Sequence, residues 1–594
     1  MLLASFLLIK GLFFLDSFHN GDCFHDLLSS RTQLEKNFYR NQTPKNSNRI
    51  LEAEEWRPIR ITVDFSNVPL KTDQNHLIVD FLSNTVVKEA VRYLGSNFKV
   101  TGPKILPLVQ RTSCDSFVSI PKLYAKNELD SDLLVLAKMV EEPEEYFAWA
   151  TPCLLSSFDY RPIVILLQLN AKTFSISPGR VQESIMIAQH ELFHALGFSE
   201  SLFSMFPIGI EKTIAFERIN GKNRTKVILP GVIEAAKNHF GCDRTSGVLL
   251  EYSGSQDKIS SHWDKALLGN DLMTSSVNGR MIVSSLTLSF LNEIGWYQVN
   301  LTSAERLEWG RGRGCDFGIS CSGSSEFCTE LTKMDCTSDY FSKTVCSASP
   351  LNTTCRINDY QRIFDCQNSI DFNFWVSGRV GRFETPGIFS RCFRFVTNTL
   401  INSSGCFPSY CQFGSVIFTV GTTNFTCKKI GEVVEAGGVN ITCPDPDTFC
   451  SYWNRKGVND CSANGVARND GSCRCNYLFH GEDCSEKLDC SNGESDSLCE
   501  IIKPFGKERD NHFSNNQATS TPSDKNNGTF PTFVNFGPVL SETQKIYPVF
   551  QPNLSAFIPA TNYWTRASVW AFSMGSWLDS GWFGLFGIMI FSWM

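Results

Sequence analysis

The residues with the clearest capacity for chemistry in this 594-residue chain are His190-Glu191-Leu192-Phe193-His194. On a helix, a spacing of four places both imidazoles on one face, where each can give a ring nitrogen to a single zinc ion at about 2.0–2.1 Å. Glu191 then stands beside the metal without ligating it. From there it can take a proton from water that the metal has acidified to a pKa of about 7 and later deliver it to a leaving amine. An H-E-x-x-H of structural histidines is the competing reading. The helical setting, the signs of export and the residues that follow favour a zinc site.

A catalytic zinc needs a third protein ligand and an open fourth position. Gly197 extends the motif to H-E-x-x-H-x-x-G, the first part of the metzincin pattern, in which a glycine lets the chain turn out of the helix toward a third histidine. Three residues further on, where that histidine would stand, the chain has Glu200. Two candidates lie downstream, His239 and His262.

The elements that must carry these groups read as α+β. Ile59, Ile61, Val63 and Phe65 alternate with polar residues, the pattern of a strand with one buried face. Asp73 can cap a helix whose face is Ile78, Leu82, Val86, Ala90 and Leu94, with Gly95 to end it. Leu133 to Val140 and Ile163 to Leu169 read as largely apolar interior strands. The motif helix is expected from about Arg180 to Leu196, on the stripe Val181, Ile185, Ala188, Leu192 and Ala195. Another is expected from Leu286 to Ile294, closed by Gly295.

Cysteine divides the chain. Of its 23 cysteines, 19 lie between Cys315 and Cys499, a density that marks a disulfide-stapled region and an oxidising compartment. Within it, Cys473, Cys475, Gly481 and Cys484 fit the ending of an EGF-like module, with Cys461 as an upstream partner. Nine Asn-x-Ser/Thr sequons also fit export: Asn41, Asn223, Asn300, Asn352, Asn402, Asn424, Asn440, Asn527 and Asn553. Leu2 to Leu15 is apolar but for Lys10 and too short to span a bilayer, as in a signal peptide. The apolar end, Gly581 to Met594, suits a lipid-anchor signal; begun at Ala567 it would be long enough to span. A net charge of -7 gives nothing that favours nucleic acid.

From about Trp56 through the Cys-rich region, the chain resembles the leishmanolysin family of metzincin zinc peptidases, which also includes invadolysin. Ser261-His262-Trp263 looks like that family's third ligand, and Asn270-Asp271-Leu272-Met273 like its Met-turn. His239-Phe240-Gly241-Cys242 resembles an intervening segment in which the histidine is structural. Tyr146 to Cys153 with Arg161-Pro162, Gly295-Trp296-Tyr297, Trp309-Gly310, and Gly314-Cys315-Asp316-Phe317 match as well. The resemblance implies a zinc ion on His190, His194 and His262, with Met273 packed beneath it. It also implies that Cys23, in Asp22-Cys23-Phe24-His25-Asp26, occupies the fourth zinc position in a latent precursor. The alternatives for Cys23 are a disulfide to another cysteine, or a residue too near the signal-cleavage site to matter.

The expected organisation is a signal peptide (1–18), a pro-segment with the cysteine switch (19–53), and an N-terminal catalytic subdomain (54–198). An insertion with the third ligand and Met-turn (199–310), a Cys-rich domain (311–450) and an EGF-like module (451–500) follow, then a stalk (501–566) and a hydrophobic tail (567–594). The expected function is a secreted or surface-bound zinc endopeptidase, made as a zymogen. Its substrates would be proteins or peptides, including extracellular-matrix or cell-surface proteins, and a C-terminal anchor would hold it to the membrane. The alternative is an adhesion protein that uses its Cys-rich domain on a zinc-protease scaffold; the presence of Glu191 favours the enzyme.

Overall fold

A computed structural model of the chain describes residues 39–40 and, apart from short stretches such as 103–112, 368–383 and 451–460, residues 55–487. Cys23, the leader, the stalk, the tail and the capping residue Asp73 lie outside the described residues.

The first half is built on a mixed five-stranded sheet. In chain order its strands are β1 (Tyr39–Arg40), β2 (Ile61–Asn67), β3 (Leu133–Val140), β4 (Ala148–Leu155) and β5 (Pro162–Asn170). They lie in the order β1-β4-β5-β3-β2. β3 pairs in parallel with β2 and β5, while β4 runs antiparallel to β5. The apolar runs in β3 and β5 follow from cover on both faces. Leu133, Val135, Ile165 and Leu167 join the main core, whereas Leu134, Leu136, Val164 and Leu166 join a second cluster with Trp149, Cys114 and Cys153. The Cys114–Cys153 disulfide staples that second layer. β2 ends the sheet, so its Ile61, Val63 and Phe65 are only half-buried despite their alternation.

The helical layer begins with α1 (His76–Asp80), continues through a π-helical stretch Phe81–Val87, and ends in α2 (Lys88–Asn97). It passes Gly95 and stops only where Phe98 turns to extended backbone. Leu82, Val86, Ala90 and Leu94 pack beneath the sheet as their spacing requires. Against them lies α3 (Val181–Leu196), the motif helix, of whose sixteen residues only Gln182 is not buried.

Beyond α3 come a hairpin, β6 (Ile214–Ile219) and β7 (Lys222–Val227), then α4 (Pro230–Phe240), α5 (Lys265–Leu268) and α6 (Ser285–Glu293). Proline opens α4 and Gly241, at φ 68°, closes it. The C-terminal end of α4 is fastened to residues 309–315. The His239 Nε2–H donates to the Trp309 carbonyl at 2.8 Å, and the Gly312 and Gly314 amides donate to the His239 and Phe240 carbonyls. Cys242–Cys315 closes the same junction. Burial, helped by the Arg311 charge, pushes His239 down to about 4. After α5, Gly269 lies at φ +46°, and a Cβ there would sit 2.2 Å from the Trp309 indole ring.

The second half is a mixed α/β chain's disulfide-rich part, with antiparallel sheets of four and six strands. Among the described residues, twenty cysteines form ten disulfides, including Cys461–Cys473 and Cys475–Cys484. Packing continues across position 310: Phe317, Phe327, Ile357 and Val466 belong to the main core. A buried Lys265–Asp359 ion pair at 2.8 Å and a Glu305–Arg474 pair tie the two halves together.

Two stability measurements test these junctions. Gly269→Ala combines a left-handed φ with a rigid aromatic ring in the way, so it should cost about 2–4 kcal/mol; an unchanged urea midpoint would show that the ring gives way. For His239, the folded pKa lies below the unfolded one of about 6.5, so the unfolded chain binds the extra proton between these values. Stability therefore falls as pH drops through that window, by roughly 3 kcal/mol at the acid end. His239→Gln keeps a donor for Trp309 and does not titrate, so its urea midpoint should fall less than that of wild type between pH 7 and pH 4.5.

Candidate metal centre

α3 delivers His190, Glu191 and His194 from inside the core; each is buried. The helix stops because Gly197 leaves it with a φ of 174°, extended backbone open to any residue. What glycine supplies there is space, since a Cβ would lie 2.8 Å from Ile294 Cδ1 and 3.1 Å from Leu291 Cδ2 on and after α6. Phe198 follows, its ring 4.1 Å from that of Phe290 and 5.3 Å from that of Trp263.

Across from α3, residues 262–273 form the other wall. The Leu250 and Trp263 backbones form a bridge, and the Glu251 N–H donates to the His262 carbonyl at 2.9 Å. Glu200, at the position where a nearby third histidine would stand, serves this segment instead. Its N–H donates to Ser261 Oγ at 3.2 Å and its carboxylate accepts from the Ile259 N–H at 3.3 Å. Arg224 of β7 pairs with Asp264, and the Asp264 carboxylate also caps α5 by accepting from the Ala266 N–H at 2.9 Å.

These walls bring three ring nitrogens together. His194 Nε2 lies 2.9 Å from His190 Nε2 and 3.0 Å from His262 Nε2. The other nitrogens of the two helical rings are committed: His190 Nδ1–H donates to the Leu272 carbonyl at 2.5 Å, and His194 Nδ1–H to the Phe198 carbonyl at 2.6 Å. With the proton on Nδ1, each Nε2 presents a lone pair. Two acceptors face each other at 2.9 Å in a buried place, an arrangement that a shared cation resolves. The donor set fits a transition-metal ion held by neutral imidazoles, with carbonyls orienting two of the ligand rings.

Glu191 and His190 line a cleft together with Phe147, Ile187, Val277 and Met281. Met273 is fully buried in the main core, its N–H donating to Asp271 Oδ1 at 2.8 Å and its carbonyl accepting from the Trp263 N–H at 2.9 Å. His239 stands apart from the triad, committed to Trp309. Burial pushes the Glu251 carboxyl up to about 7 and the Asp271 carboxyl up to about 6, the latter held down in part by bonds from Ser284, Met273 and Thr287.

Of the expected site residues, then, His190, His194 and His262 come together, with Glu191 in the wall beside them. The orienting carbonyls of Phe198 and Leu272 were not foreseen, because a backbone oxygen leaves no mark in the residue types. Glu200 and Asp271 had a weak signal: each is an acidic residue beside a motif, in a segment otherwise apolar enough to be buried.

Comparison with known proteins gives the family. A family model described as leishmanolysin matches residues 70–370. A leishmanolysin-like peptidase of Caenorhabditis briggsae is 29% identical over 222 residues, 32% of this chain and 33% of the relative. A leishmanolysin homolog of Crithidia fasciculata is 27% identical over 285 residues, covering 48% and 42%. The ciliated left-right organizer metallopeptidase of Homo sapiens is 32% identical over 259 residues, covering 41% and 32%. The chain thus spans between about a third and two fifths of the length of these relatives. Because the family match takes in half of the chain, with the triad, Glu191, Gly197 and Met273 all inside it, this protein belongs to the leishmanolysin family of metallopeptidases.

Proposed function

We propose that this chain is a zinc endopeptidase, secreted or held at the cell surface and made as a latent zymogen. The observation that carries the reading is the convergence of three buried imidazole nitrogens next to Glu191 in the wall of a cleft. His190, His194 and His262 would hold the ion. Zinc bound there supplies Lewis acidity, polarising a peptide carbonyl and acidifying water.

The chain's own residues do the rest. Glu191, placed one residue from a ligand and lining the cleft, accepts a proton from the attacking water as the new C–O bond forms. It returns that proton to the amine nitrogen as the C–N bond breaks, so it ends the cycle ionised as it began. The carbonyls of Leu272 and Phe198 hold their imidazoles in one tautomer, which keeps the lone pairs aimed at the metal. Ile187, Met281 and Phe147 give the cleft an apolar side suited to an apolar side chain of a protein or peptide substrate. Met273 is the packed floor beneath, in the manner of a metzincin Met-turn.

Export has its own support. The four sequons with described side chains, Asn223, Asn300, Asn424 and Asn440, are all exposed, and the paired cysteines suit an oxidising compartment. The Cys461–Cys473 and Cys475–Cys484 pairs support an EGF-like module at 451–500, a surface for extracellular-matrix or cell-surface proteins. Cys23 would silence the precursor by taking the metal's open position, and a C-terminal lipid anchor or spanning segment would hold the mature protein at the membrane.

Purified mature protein should cleave a quenched peptide, lose that activity to a chelator and regain it with zinc. Glu191→Ala should lower kcat by about 10²–10⁴ while zinc stays bound; full activity in that variant would sink the mechanism. Metal analysis of His262→Ala should show much less than one zinc per chain, and wild-type occupancy would remove His262 from the ligand set. In the precursor, Cys23→Ala should give premature proteolysis, whereas unchanged latency would count against the switch.

A further inference from the structure

We infer that Thr287, a buried hydroxyl on α6 outside the ligand set, is the positioning residue that holds the third ligand and the Met-turn in register with the motif helix. The inference rests on the metal reading above. Two separate segments must be placed correctly against α3: residues 262–263, which carry the third histidine, and residues 271–273, whose Leu272 carbonyl orients His190. One hydroxyl joins their side chains, beside a direct backbone bond. Trp263 Nε1–H donates to Thr287 Oγ1 at 2.9 Å, and Thr287 Oγ1–H donates to Asp271 Oδ1 at 2.7 Å. That same oxygen accepts the Met273 N–H at 2.8 Å, and Met273 returns its carbonyl to the Trp263 N–H at 2.9 Å.

The polarity of this circuit is fixed. An indole nitrogen can only donate, so Thr287 must accept from Trp263 and give its single proton to Asp271. Trp263, Asp271 and Thr287 are each fully buried, so water cannot take the place of a lost partner. α6 also serves the other helical ligand, because Phe290, one turn along from Thr287, packs on Phe198, whose carbonyl orients His194. A single helix thus packs behind Phe198 and behind the 262–273 wall, and Thr287 is its hydrogen-bonding contact with both Trp263 and Asp271. Without that hydroxyl the Trp263 indole and Asp271 Oδ1 lose their shared partner, the backbone bond between Trp263 and Met273 is left to keep His262 and the Leu272 carbonyl in register, and the three ring nitrogens are held less closely on one point.

The test is zinc affinity, measured on the folded, disulfide-intact protein by competition with a chromophoric chelator. Thr287→Val keeps the shape and removes both bonds; it should weaken zinc binding about 10–100-fold, while Thr287→Ser, which keeps the hydroxyl, should stay within about threefold of wild type. A residue that only stabilised the fold would lower the metal-free melting temperature and leave the affinity of the folded protein unchanged. Wild-type affinity in folded Thr287→Val overturns the inference, as does a Thr287→Ser as weak as the valine variant. Should Thr287→Val not fold, Trp263→Phe removes the indole donor alone and should weaken zinc about tenfold; retention of wild-type affinity overturns the inference equally. A wild type that binds no zinc overturns the metal centre itself, whereas a wild type that binds while Thr287→Val matches it overturns this inference alone.

Discussion

Two imidazole nitrogens, each with its proton committed elsewhere, face one another across 2.9 Å in the middle of a protein. Without a cation between them their lone pairs repel, and with both Nδ1 protons given to carbonyls neither ring can turn its lone pair aside. The surrounding structure is built to keep that arrangement. A helix buried on nearly every side brings two of the rings, and a distant segment brings the third at 3.0 Å. Backbone carbonyls on both walls forbid the other tautomer for the helical pair.

The cost of placing so many polar groups in a core is offset by the layers around it. The central strands are apolar on both faces, so the sheet makes a firm wall for α3, and α6 makes another behind residues 271–273. The disulfide-rich half completes the enclosure rather than standing apart from it, through the Cys242–Cys315 bond, the Lys265–Asp359 pair and core residues as far along as Val466. The protein gains rigidity at the site by joining parts far apart in sequence, which suits a centre whose geometry must exist before any ligand arrives.

Much of this was legible in the residues. The motif helix was, because five apolar residues at helical spacing and a closing glycine agree. The interior strands were too, since runs such as Leu133 to Val140 have no polar face to show. The strand around Ile61 was only half legible: its alternation implies one buried face, but its place at the end of the sheet leaves those residues half-covered. The helix expected to end at Gly95 runs to Asn97, because the packing of its face outweighs the local preference of one glycine. His262 could be separated from His239 by family resemblance and not by spacing, since bringing a residue across 68 positions is a property of the whole fold. Thr287 was hidden for another reason. In a helix reading Ser-Leu-Thr-Leu-Ser-Phe a threonine looks like filler, and its role depends on what lies opposite.

The long excursion between Gly197 and His262 is fastened at its mouth: Glu200 grips Ile259 and Ser261 where the chain leaves and where it returns, and the Leu250–Trp263 bridge seals the far side. A loop pinned in this way transmits little of its own length to the site. Doubling such a loop adds only about 0.6 kcal/mol of closure entropy. The segment within is held at further points: Arg224 of its hairpin pairs with Asp264, two residues after the third imidazole, and Cys242 just past the end of α4 is bonded to Cys315. Length can change with least disturbance beside Gly221, between β6 and β7, where an added Cβ would meet nothing within 4 Å, while the strands of the hairpin and α4 keep their hold on the centre.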